Sequence, residues 1–62
     1  MLEFCKIVLN KVSFDHNLFQ KELTKSIQWI NQSDAESLRQ WCMETYGNRY
    51  GQIIQQAFES IL

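Results

Sequence analysis

No proline interrupts this chain, and its only two glycines stand at positions 47 and 51. Every reversal in a β-sheet draws on residues that fix φ or accept φ > 0, and these are mainly Pro, Gly, Asn and Asp. A sandwich or barrel built from 62 residues would need several such turns. The scarcity of both punctuating residues favours helices joined by short polar connections, and the spacing of the apolar residues agrees.

Four helices are expected, at about 2–12, 16–30, 34–46 and 49–61. In the first, Leu2, Cys5, Leu9 and Val12 form a stripe, with Phe4 and Val8 beside it. Ile7-Val8-Leu9 is also a β-branched run compatible with a strand, but nothing after it offers a strand to pair with. The second helix opens at Asp15 as N-cap, with Phe14 and Phe19 at the spacing of a hydrophobic staple. Its stripe is Phe19, Leu23, Ile27 and Ile30. The third has a Ser33-x-x-Glu36 capping box, and Leu38, Trp41, Cys42, Thr45 and Tyr46 recur at helical spacing. Gly47 then stands where a helix commonly ends in a left-handed residue. Asn48 is the expected N-cap of the fourth helix, whose apolar arc is Tyr50, Ile53, Ile54, Ala57, Phe58, Ile61 and Leu62. The expectation is an all-α bundle forming one domain over residues 1–62. Its expected core is Phe4, Val8, Leu9, Phe19, Leu23, Ile27, Leu38, Trp41, Cys42, Tyr46, Ile54, Phe58 and Ile61.

The five fragments Leu2-Glu3-Phe4-Cys5, Val12-Ser13-Phe14-Asp15, Lys21-Glu22-Leu23, Trp41-Cys42 and Tyr46-Gly47 together resemble a family of short, uncharacterised bacterial helical proteins. The resemblance spans most of the chain. It implies a small bacterial cytoplasmic protein and carries no activity, ligand or site residue.

The totals narrow the function further. A formal net charge of −1 gives none of the basic excess typical of proteins that bind nucleic acid or membrane surfaces. Lys6, Lys11, Lys21 and Lys25 fall in the first two helices, but Glu3, Asp15 and Glu22 interleave with them. Glu3 and Lys6 break the N-terminal apolar run, so no signal peptide is expected. No apolar run is long enough to cross a bilayer. With two cysteines and no disulfide framework, the setting expected is the cytoplasm, with Cys5 and Cys42 as free, buried thiols.

Catalytic, cofactor and metal sites are not expected. Cys5, His16 and Cys42 match no zinc spacing, and a structural zinc site takes four ligands. A cysteine nucleophile would have only His16 as base, at a helix start where the dipole disfavours imidazolium. The alternative function is a small DNA-binding regulator with a degenerate helix-turn-helix at 34–61, turning at Gly47 and presenting Gln52, Gln55 and Gln56 to base edges. Met43 and Asn48 depart from that pattern, and Arg49 is the only cation near the reading helix, so nucleic acid is not the expected partner.

The leading expectation is a non-enzymatic protein-interaction module whose partner is a second copy of itself or another protein, with self-association as a homo-oligomer the favoured form. Eight aromatic residues are a heavy load for the core of so short a chain. The candidate interface is Trp29, Tyr50, Phe58, Ile61 and Leu62.

Overall fold

The computed structural model describes residues 2–59. They form three α-helices: α1 (Leu2–Lys11), α2 (His16–Trp29) and α3 (Gln32–Glu59). The all-α expectation is met, with three helices in place of four.

In α1 the core face is set by Cys5 and Leu9, at 2% and 0% exposure. Leu2 and Val12 pack against the same core. Phe4 precedes Cys5 by one position, a rotation of about 100° around the helix. It stands 62% exposed, which corrects the expectation that it is core. The amide of Val12 donates to the Val8 and Leu9 carbonyls at 3.2 Å, and the Ser13 hydroxyl donates to the Asn10 carbonyl at 3.0 Å, closing the helix end.

Asp15 caps α2 as expected. Its backbone is extended (φ −131°, ψ 114°), and Oδ1 accepts from the amides of Asn17 (2.9 Å) and Leu18 (3.2 Å). The staple does not form: Phe14 is 75% exposed, whereas Phe19 is fully buried. Phe19 is held instead by the tyrosines of α3, with its ring 5.1 Å from that of Tyr46 and 4.6 Å from that of Tyr50. Leu23 and Ile27 continue the buried stripe.

The start of α3 corrects the capping box. Asn31 is the cap: its Oδ1 accepts from the Asp34 amide at 2.8 Å, and its carbonyl accepts from the Ala35 amide at 2.9 Å. Ser33 is an exposed residue of the first turn. Asn and Ser cap about equally well, so tertiary packing decides between them. Ile30 ends α2 in an extended conformation (φ −106°, ψ 160°) and packs against the core. The chain must therefore turn at once, and Asn31 is the residue at the turn.

The expected break at Gly47 and Asn48 is absent. Neither glycine has positive φ, and the helix runs through both positions. The one non-helical residue inside α3 is Tyr50 (φ −125°, ψ 21°). That conformation is open to any L-residue, so the bend needs no left-handed glycine. Gly47 and Gly51 bracket it, and small residues are a recognised setting for sharp kinks. The bend is large. A straight helix of 28 residues would span about 42 Å. The molecule measures only 26 × 21 × 18 Å.

Each arm of α3 supplies the core: Ala35, Leu38 and Cys42 before the kink, Ile54 and Phe58 after it, all at 3% exposure or less. Tyr50 joins them at 7%. Its hydroxyl donates to the Ser13 carbonyl at 2.6 Å and accepts from the Arg49 guanidinium at 3.1 Å, while its ring lies against Phe19. The Tyr46 hydroxyl donates to Asn10 Oδ1. Both tyrosines thus tie the bend of α3 to the end of α1 and the loop after it. Trp41, Tyr46 and Val8, expected in the core, are half-buried at its edge, and Ile61 lies outside the described residues.

Candidate interaction surface

The seam between α1 and α2 leaves an open groove of about 350 Å³. Phe4 and Val8 line it from α1, and Ser26 and Trp29 from α2. Buried Cys5 lies at its base, with Glu22 and Lys25 alongside. Its two large aromatics are largely solvent-accessible, Phe4 at 62% and Trp29 at 67%. The reason is geometric. Phe19, Leu23 and Ile27 fix the buried face of α2, and Trp29 falls two positions past Ile27, well off that face. Ile7 (54%) and Leu18 (39%) add further exposed apolar area on the same two helices.

A second groove of about 350 Å³ lies between the arms of α3, where Arg39 and Met43 face Ile54, Gln55, Phe58 and Glu59. Phe58 is at its base at 2% exposure, and Met43 is its exposed apolar residue at 41%.

The expected interface is not assembled as one patch. Trp29 is exposed in the α1–α2 groove, but Tyr50 and Phe58 are core residues at 7% and 2% exposure and offer no docking surface. Ile61 and Leu62 lie outside the described residues. Phe4 is the surface residue that the sequence reading placed in the core. Its offset from the Cys5–Leu9 axis is the signal that could have identified it.

Cys5 and Cys42 are free and buried. Burial first, then the neighbouring Cys5, pushes the Cys42 thiol from its ordinary 9.0 up to about 12, so it is not a thiolate at neutral pH. His16 is exposed at the start of α2. Among the described residues no group of three His, Cys, Asp or Glu side chains is placed to hold a metal ion. The four lysines make no continuous strip. Lys6 pairs with Glu3 at 3.5 Å and lies 5.7 Å from the Trp41 ring on the α3 side, while Lys25 lines the opposite groove. The Arg49 guanidinium sits 4.9 Å from the Tyr50 ring centroid. Gln52, Gln55 and Gln56 are exposed, but no turn at Gly47 sets them on a separate recognition helix. Among the described residues no helix is long and apolar enough to cross a membrane.

Compared with protein-family models, curated proteins and solved structures, the chain matches none.

Proposed function

We propose that the chain is a non-enzymatic protein-interaction module that self-associates through the α1–α2 groove, with Trp29 and Phe4 as its anchors. One observation carries the reading. Two large aromatics from different helices stand 67% and 62% exposed across a single groove. Isolated exposed apolar residues are ordinary, but two exposed aromatics lining one concavity are the composition of an interface centre, where Trp is enriched. The two free thiols fit a reducing, cytoplasmic setting.

The test is solution mass by light scattering after gel filtration, in reducing buffer, from about 5 to 500 µM. A dimer is expected to persist in the upper part of that range. Phe4→Glu and Trp29→Glu are expected to shift the chain to monomer while leaving helical content unchanged, since both side chains stand clear of the core. A monomer throughout, or association indifferent to both substitutions, would refute the proposal.

A further inference from the structure

From α2, Glu22, Lys25 and Trp29 line the groove, and Leu18 continues the same flank one turn toward the helix N-terminus. Spacings of four, three and four residues hold them within roughly 60° of one stripe. Leu18 and Trp29 are 39% and 67% exposed, Lys25 is exposed and Glu22 half-buried. Among the described residues neither charge has an ion-pair partner, the one salt bridge being Lys6–Glu3. Read in either direction, the stripe runs apolar, charged, oppositely charged, apolar.

Such a stripe is complementary to its own reverse. A two-fold axis across α2 between Leu23 and Thr24 places Leu18 against Trp29 of the second copy. It also places Glu22 against Lys25 of the second copy, and each contact then occurs twice. Two-fold interfaces require this self-complementarity, one patch meeting itself with its order reversed. A parallel pairing would set Glu22 against Glu22 and Lys25 against Lys25, which like-charge repulsion disfavours. Antiparallel α2 helices also align their dipoles favourably.

We propose that the occupant of the α1–α2 groove is the α2 helix of a second copy, packed antiparallel about this axis, with reciprocal Glu22–Lys25 pairs at its centre and Leu18–Trp29 contacts at its ends. The inference rests on the self-association proposed above and adds its geometry. Phe4, which lines the groove beside Trp29, is covered by the same contact.

The pairing has a decisive test. Glu22→Lys makes both central pairs Lys–Lys, and Lys25→Glu makes both Glu–Glu. Each variant alone is expected to dimerise about tenfold or more weakly than the parent chain. Mixed in equal amounts, they restore opposite charges at both positions. A heterodimer is expected with affinity within about threefold of the parent dimer, read by sedimentation or by fluorescence exchange between labelled chains. Circular dichroism of each variant confirms that the fold is retained. A parent chain that stays monomeric overturns self-association and this pairing with it. A parent dimer that is dissociated by Trp29→Glu, yet unchanged by either charge reversal or not rescued by mixing, overturns the antiparallel pairing alone.

Discussion

Tyr50→Phe isolates what holds the bend of α3. The substitution removes one oxygen and keeps the ring, so the 4.6 Å stack on Phe19 and the burial of the side chain survive. Two hydrogen bonds go: the one donated to the Ser13 carbonyl at 2.6 Å and the one accepted from Arg49 at 3.1 Å. Arg49 is exposed and regains water, so its bond contributes little to the difference. The Ser13 carbonyl is at a half-buried residue and regains only part of its solvation. The expected loss is about 1–1.5 kcal/mol, in the range for one intramolecular hydrogen bond. A domain of this size has only about 3–5 kcal/mol of stability, so a sizeable fraction is at stake. The assay is urea unfolding followed by circular dichroism, at concentrations low enough for both chains to be monomeric. With a slope of about 1 kcal/mol/M the midpoint should fall by about 1 M at unchanged slope. Tyr50→Ala also removes the buried ring, costs about 3–5 kcal/mol and should leave the chain largely unfolded. A Tyr50→Phe midpoint equal to the parent's would refute the role of the Ser13 contact in fixing the kink.

Capping separates the two candidate starts of α3: Asn31→Ala is expected to cost about 1 kcal/mol and Ser33→Ala almost nothing, measured by the same unfolding curves. Gly51→Ala should stabilise the chain by about 0.5–1 kcal/mol, because nothing lies within 4 Å of the added Cβ and φ is not positive. For Cys42, raised from 9.0 to about 12 mainly by burial, the thiol is neutral in both states below pH 9.0. Above that the unfolded chain ionises first, so this thiol's contribution makes stability fall as the pH rises toward about 12, and Cys42→Ala should lessen that fall. The same burial predicts that Cys42 resists alkylation at pH 8 until the chain unfolds, which mass spectrometry of labelled protein would show.

The sequence was most informative where one residue dominates its neighbourhood. Asp15 caps α2 through the Asn17 and Leu18 amides, and Phe19, Leu23 and Ile27 form the buried stripe of that helix, both at the positions the sequence pattern indicates. At the start of α3 four polar residues stand in a row, Asn31, Gln32, Ser33 and Asp34, and local chemistry does not rank Asn31 against Ser33. Packing of Ile30 against the core made the selection. The break within α3 was misplaced for a related reason. Gly47 is an adequate helix terminator in isolation, but the ring stack on Phe19 and the Ser13 hydrogen bond hold Tyr50 in the core, and the bend falls there, three residues later. Neither contact is visible in a one-dimensional pattern, because both join segments more than 30 positions apart. Phe4 and Cys5 both lie on the apolar arc of α1, an ambiguity that the Cys5–Leu9 spacing resolves, because Leu9, four positions on, shares the face of Cys5.

That last ambiguity bears on function. A chain this short has enough interior for part of its aromatic content: Phe19, Tyr50 and Phe58 are buried, while Phe4, Phe14 and Trp29 stand at 62%, 75% and 67% exposure. Turning Phe4 or Trp29 inward would rotate Cys5 and Leu9, or Leu23 and Ile27, off the buried faces of their helices. Leaving both aromatics on one groove allows a second copy to cover them without disturbing the fold. Self-association as proposed would add to folding through mass action, by about 2.7 kcal/mol at a hundredfold excess over Kd. That contribution is comparable to the whole stability of a domain of this size. On the proposed reading, interface and core are two outlets for the same apolar surface, and the helical rotation between Phe4 and Cys5 determines which outlet each side chain takes.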